Sequence, residues 1–302
     1  MTTHSLTITE LKSVSIGYLA ADFILGENVW PRRLQIHSRF QHALNLQRDD
    51  GYLLTLLCAS QYRNLADAIR LDLPMAWDWR EHANNGNSRD VTLQENGMLL
   101  GAGWFIALEN TPCWRPNIIT AGTDESPDNY AQHQYPTLVD ALTRYCHKHN
   151  ISSELALLPD ISSMKRQPEL SLNADTVTLN LQIAQLIGFG RGLTPDGDDY
   201  LLGYIASLWR WRNTPRVATH YARLCRGVAE QLERTNDISR QYLSRGVQGH
   251  FSEPICELIQ ALATAKSHSA ISTAASRVMQ FGASSGVDCL AGFLHGLRTL
   301  SN

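Results

Sequence analysis

The stretch GFGRGLTPDGDDYLLG, residues 188–203, gathers five glycines and three aspartates into sixteen positions. Thr194 is a good helix N-cap and Pro195 suits a first helical position. The pattern therefore predicts a glycine-rich loop handing over to a helix that starts there and runs through Tyr200 toward Trp211. Glycines at 188, 190, 192 and 197 let the backbone turn and expose its N–H groups. Such a loop at a helix N-terminus is a ready site for an anion.

The device occurs twice. Gly197-Asp198-Asp199-Tyr200-Leu201-Leu202-Gly203-Tyr204 aligns with Gly286-Val287-Asp288-Cys289-Leu290-Ala291-Gly292-Phe293, 89 residues further on, as G-x-D-x-L-x-G-aromatic. The second copy follows GASSG (282–286) and continues, like the first, as an amphipathic helix. In each copy the aspartate precedes a glycine by four residues, so the two share a helix face where another backbone can come close. Two helices crossing at Gly203 and Gly292 would bring Asp199 and Asp288 together.

Working outward, PTLVDALTRYCHKH, TVTLNLQIAQLIG, VATHYARLCRGVAEQLE, ISRQYLSRGV, EPICELIQALATA and ISTAASRVMQF repeat apolar residues at three- and four-residue spacing, so this half should be helical. Its short connections imply helices packed on one another around a single core. Asn236, Asp237 and Ser239 read as the cap of the ISRQYL helix. Toward the other end, SVSIGYLAADFIL (13–25), RLQIHS (33–38), YLLTLLCAS (52–60) and MLLGAGWFIALE (98–109) are apolar runs of strand length between polar segments. Residues 110–135, dense in Pro, Asn, Asp and Thr, read as a long connection. The expected architecture is α+β: a β-rich N-terminal domain over 1–120, then a mostly helical domain over 121–302 that carries the duplicated loop-helix motif.

Composition narrows the function classes. The 302 residues suffice for two domains of ordinary size. With 26 basic and 29 acidic residues mixed along the chain and a net charge of −3, no nucleic-acid-binding stripe is expected. No long apolar span predicts a membrane segment. The six cysteines, Cys58, Cys113, Cys146, Cys225, Cys256 and Cys289, are scattered without a CxxC and without a signal peptide. They read as buried thiols of a cytoplasmic protein. His37 and His42 lack metal-ligand spacing, and no GxSxG, P-loop or HExxH is present. The tryptophans, Trp77, Trp79, Trp104, Trp114, Trp209 and Trp211 among them, read as core or interface residues.

Aspartates in a first helical turn are ordinary, since the helix dipole favours each by about 0.3–1 kcal/mol. Crowding Asp196, Asp198 and Asp199 sets against this a repulsion of about 1 kcal/mol per pair in water, and more near a protein surface. The cluster calls for solvent or a counter-charge, and Mg²⁺ or another divalent cation on Asp198 and Asp199 is the expected one. Asp198, Asp199 and Asp288 are the candidate catalytic residues. Arg191, Gly192, Thr194, Gly197, Ser284, Ser285 and Gly286 are the candidate ligands for the anionic part of a small-molecule substrate.

The segments 36–57, 188–203, 238–262 and 282–297 together resemble the AllH-like family, with GLTPxGDDxLxG the most specific block. The resemblance implies a subunit of oxamate carbamoyltransferase that works with two other subunits in anaerobic allantoin degradation. That enzyme moves a carbamoyl group between oxalurate and phosphate, giving oxamate and carbamoyl phosphate. The motif positions carried over are Gly192, Thr194, Pro195, Gly197, Asp198, Asp199, Gly203, Ser285, Gly286 and Asp288. Two positions depart from the family's pattern: Asp196 stands where a small hydroxyl residue is usual, and Cys289 where a small polar residue would be unsurprising. A metal-dependent hydrolase of a small C–N substrate and a non-catalytic assembly subunit are the alternatives.

Overall fold

The computed structural model describes residues 8–26, 32–82, 90–101, 103–117, 126–153, 155–156, 170–264 and 267–301. The chain divides into two compact units, 1–116 and 117–302. Part of the expected long connection, 118–125, lies outside the described residues.

The described residues of the first unit carry nine strands: β1 (Thr9–Gly17), β2 (Arg32–Arg39), β3 (Ala43–Gln47), β4 (Leu53–Cys58), β5 (Ala68–Leu71), β6 (Asp90–Gln94), β7 (Gly97–Leu100), β8 (Trp104–Ala107) and β9 (Cys113–Trp114). Their order is β5-β4-β3-β2-β6-β7-β8-β1-β9, and β1 also pairs with β5. Closure rests on β1 dividing its partners. Thr9–Lys12 run parallel to β8, while Ser13–Ile16 turn across a bulge to pair antiparallel with β5. A barrel-like sheet results, with few open edges. Leu34, Leu44, Leu46, Leu54, Leu56, Ile69, Val91, Leu93 and Ile106 build its core.

One expected strand is half helix. Residues 13–17 extend, but Tyr18–Leu25 form α1, whose buried Ala20, Ala21 and Ile24 join the barrel core. The three- and four-residue spacing of those positions is helical, and the all-apolar composition hid it. A short helix, α2 (Trp79–His82), follows β5.

The second unit is helical: α3 (Pro127–His149), α4 (Thr176–Leu186), α5 (Asp196–Trp209), α6 (Pro215–Ala229), α7 (Asp237–Val247), α8 (Glu253–Thr264), α9 (His268–Met279) and α10 (Ser285–Ser301). Residues 127–135, expected as connection, are the opening turns of α3, which Pro127 starts at its first position. Asn236 caps α7 as expected, accepting from the N–H groups of Ile238 and Ser239.

Helices α5 and α10 form the centre. Every residue of α10 from Gly286 to Leu297 is buried, so this helix is enclosed all round rather than amphipathic. The crossing obeys the sequence repeat. A Cβ on Gly203 would lie 1.8 Å from the Cys289 carbonyl oxygen, and one on Gly292 would lie 1.9 Å from that of Tyr200. These contacts exchange under the 89-residue offset, which makes the crossing an internal pseudo-two-fold.

Of the six cysteines, Cys58, Cys256 and Cys289 are buried, Cys146 and Cys225 half-buried, and Cys113 exposed; all are free thiols. The expectation of uniform burial therefore fails at three positions. Trp77, Trp79 and Trp211 are core residues.

Candidate functional site

The loop before α5 is held by the helix it precedes. Gly188, Gly190 and Gly192 take positive φ values of 75°, 104° and 99°, a region side-chain-bearing residues rarely adopt. Asp198 ties this loop down. Its Oδ1 accepts the Gly188 N–H at 2.8 Å, its Oδ2 accepts the Thr235 hydroxyl, and the Ser239 hydroxyl lies beside it. Burial raises its pKa and these hydrogen bonds pull back. With both oxygens engaged, Asp198 joins the loop to the start of α7.

The glycines expected to cradle an anion divide. The Gly197 N–H donates to the Phe189 carbonyl at 2.9 Å and that of Gly286 to the Phe281 carbonyl at 2.9 Å. These two serve packing: a Cβ would lie 2.0 Å from the Leu186 carbonyl oxygen at Gly197 and 2.1 Å from the Val278 one at Gly286. Gly192 and Arg191 are exposed in the loop. Thr194 does not cap α5, where Pro195 holds the cap position. Its hydroxyl instead reaches across the crossing to Ser285, 2.8 Å from Oγ to Oγ.

The pseudo-two-fold brings Asp199 and Asp288 into one buried cluster. Asp199 is 6% exposed and Asp288 0%. Burial, with like charge from Asp288 and Asp198, pushes Asp199 up to about 8, although the Thr194 and Ser285 hydroxyls hydrogen-bond to it and favour its charged form. Burial raises Asp288 to about 7; Ser153 and Ser284 oppose this, while Asp196 adds like-charge repulsion. Each retains an oxygen, Oδ2, with no hydrogen-bond partner among the described residues. A buried acceptor left alone costs about 1–3 kcal/mol, so two in one cluster ask for an explanation.

Two members of the cluster carried no sequence signal. Ser153 donates to Asp288 Oδ1, and its oxygen accepts the N–H groups of Leu155 and Ala156 at 3.1 and 3.2 Å. Cys146, on α3, senses the Asp288 charge, and burial raises its pKa. Neither lies in a motif; only the packing of α3 against α10 brings them in. Among the described residues no three His, Cys, Asp or Glu side chains gather as a metal-binding group.

A buried polar network occupies the same helices further along. The Tyr200 hydroxyl is 2.8 Å from His295 Nδ1, and the Tyr204 hydroxyl donates to the Leu170 carbonyl at 2.5 Å while lying 3.0 Å from His220 Nε2. Burial depresses both histidines, His220 to about 4 and His295 to about 3.

The family model described as oxamate carbamoyltransferase subunit AllH matches residues 186–297, which span both copies of the motif. That described as the AllH family N-terminal domain matches residues 12–113. No solved structure matches the chain. Among the described residues no helix is long and apolar enough to cross a membrane.

Proposed function

The chain belongs to the AllH family, and we propose that it works as a subunit of a carbamoyl-transferring enzyme, holding the carbamoyl group at the crossing of α5 and α10. The observation that carries this reading is the pair of buried carboxyls, each with one oxygen unpartnered among the described residues, and with pKa values raised to about 8 and about 7. Near neutral pH such a pair presents one protonated and one ionised member, the combination that general acid and base steps need.

In the transfer from oxalurate to phosphate, a phosphate oxygen attacks the carbamoyl carbon and the C–N bond to the oxamate nitrogen breaks. Protonated Asp199 gives its proton to the departing nitrogen. Asp288 takes the proton that hydrogen phosphate loses, so protons balance and products leave as oxamate and carbamoyl phosphate. The Thr194 and Ser285 hydroxyls and the exposed Arg191 would hold the anionic ends.

The counter-charge in this reading is a proton rather than the divalent cation the sequence suggested. Asp198, one of its two expected ligands, is already committed to Gly188 and Thr235. Turnover of the assembled enzyme with Asp199→Asn and Asp288→Asn tests the assignment. Each should lose about 100-fold or more, and full activity in either would overturn its role. Thermal unfolding of the chain against Mg²⁺, Mn²⁺, oxamate, oxalurate, phosphate and carbamoyl phosphate tests the counter-charge. Stabilisation by a carbamoyl compound alone supports the proton, and stabilisation by a metal that Asp199→Asn abolishes restores the cation.

The second reading, a non-catalytic assembly subunit, has one observation in its favour. Phe189 and Leu193, in the glycine loop, stay 41% and 54% exposed, apolar surface of the kind that partner subunits cover. On that reading Phe189→Ser with Leu193→Ser abolishes complex formation and Asp199→Asn leaves turnover intact.

A further inference from the structure

Ser153 meets Asp288 with its other hydrogen bonds already made. A serine hydroxyl has one proton to give and two lone pairs that accept. Both lone pairs are taken, by the N–H groups of Leu155 and Ala156 at 3.1 and 3.2 Å. The contact with Asp288 Oδ1 therefore runs in one direction only, from serine to carboxyl. A protonated carboxyl accepts through its carbonyl oxygen far better than through its O–H oxygen, so this bond is kept when any proton on Asp288 sits at Oδ2. The hydroxyls beside Asp199 carry no such constraint. Thr194 and Ser285, 2.8 Å apart, both reach Asp199, and either can be the donor between them.

We infer that Ser153 is a positioning residue, which by giving its only hydroxyl proton to Oδ1 reserves Oδ2 as the single oxygen where Asp288 takes up and releases a proton. What that proton does rests on the carbamoyl reading above, in which Oδ2 receives the proton that hydrogen phosphate loses. Where it sits does not.

Three observations support it. Asp288 is fully buried, and its Oδ2 has no hydrogen-bond partner among the described residues, so this is the oxygen left to titrate. The fold delivers the serine: Asn150 closes α3 in the left-handed conformation, φ 52°, the Ile151 N–H returns to the Cys146 carbonyl at 3.0 Å, and Ser153 two residues on reaches α10. The surroundings leave the task to hydroxyls. The titratable groups acting on Asp288 are Asp196 and Asp199 from α5, Cys146 from α3 and its neighbour Cys289, none of them cationic. On α9, His268 and Arg277 are engaged by Thr137 and Glu257. The groups that favour the charged form are Ser153 and, second to it, Ser284.

The carboxyl signal of Asp288 in the ¹³C-labelled full chain, identified by its loss in Asp288→Asn, reports this titration from about pH 5 to about pH 9. Ser153→Ala should move the midpoint up by about one pH unit, since the charged form loses its donor. Ser153→Cys, a weaker donor of similar size, should move it the same way and by less. Ser153→Thr, which keeps the hydroxyl, should leave it in place, and the acid limb of turnover by the assembled enzyme should follow the same order. Circular dichroism checks that each variant is folded. A midpoint that neither Ser153→Ala nor Ser153→Cys moves, or one that Ser153→Thr moves as far as Ser153→Ala does, overturns the positioning role and leaves the carbamoyl reading standing. A midpoint that moves as expected while the acid limb stays in place supports the hold of Ser153 on Asp288 and overturns Asp288 as the base of the carbamoyl reading.

Discussion

The two ends of the α5–α10 pair are equally buried and oppositely finished. Around Tyr200, Tyr204, His220, His295 and Thr299 the side chains complete one another's hydrogen bonds. Around Asp199 and Asp288, on the same helices, two carboxylate oxygens have no partner among the described residues. A closed polar network stiffens a core and asks nothing of solvent or ligand, whereas a partly satisfied one is expensive and persists where a ligand or proton completes it. On the carbamoyl-transfer reading the difference separates buried polarity that supports structure from buried polarity that supports chemistry, and it can be broken from either side.

The largest effect should come from the crossing that both ends share. Gly203→Ala puts a methyl group 1.8 Å from the Cys289 carbonyl oxygen, where the obstacle is backbone and no rotamer relieves it. Overpacking of this kind costs about 3 kcal/mol or more, and chemical denaturation should find either a much lower midpoint or no folded protein. Gly292→Ala, its counterpart, should behave alike. A mild effect in either would refute the close crossing.

Next in size is an exchange of function against stability. Tyr204→Phe removes the hydroxyl that serves Leu170, His220 and Thr299, at a cost of about 1–3 kcal/mol for the groups left unpaired. Turnover per folded molecule should be kept. Asp288→Asn should do the opposite, abolishing turnover while raising the midpoint at pH 8.5, because it removes a charge that burial disfavours. If both variants lose stability and keep activity, the two ends do not differ as described.

Much of this was legible in the sequence, and the limits have physical causes. The G-x-D-x-L-x-G repeat locates the crossing because a glycine four residues after an aspartate on a helix admits another backbone, and Gly203 and Gly292 do so. Thr194 misled for the same kind of reason: N-cap chemistry describes a local role, and its hydroxyl has a stronger claim across the crossing at Ser285. Asp198 and Asp199 are neighbours with the same side chain, and only the fold separates a tie to Thr235 from a buried carboxyl that faces Asp288. Ser153 lies in an ordinary stretch after α3, so no local pattern marks it. In the barrel, α1 escaped because a fully apolar run erases the contrast between the two periods.

The smallest effect is a pH dependence in which the two ends pull in opposite directions. Asp199 and Asp288 have folded pKa values raised to about 8 and about 7, so the stability they contribute is full below the ordinary carboxylate range and is lost as pH rises through those values. His220 and His295 are depressed to about 4 and about 3, so theirs is full above the ordinary imidazole pKa of about 6.5 and is lost as pH falls below it. Between about pH 4.5 and 6 the two slopes oppose each other and the unfolding midpoint should be nearly flat. Above about pH 6.5 the histidines are neutral in both states and only the aspartates act. Stability should then fall at up to about 1.4 kcal/mol per pH unit for each proton until pH 8 and level off beyond. Asp199→Asn should remove the part of the fall between pH 7 and 8, and Asp288→Asn the part that ends near pH 7. His295→Gln should leave the alkaline fall intact and weaken the acid one. A wild-type midpoint that does not move between pH 6.5 and 8.5 would mean that both carboxyls are ionised throughout, with their charge met by something other than a proton.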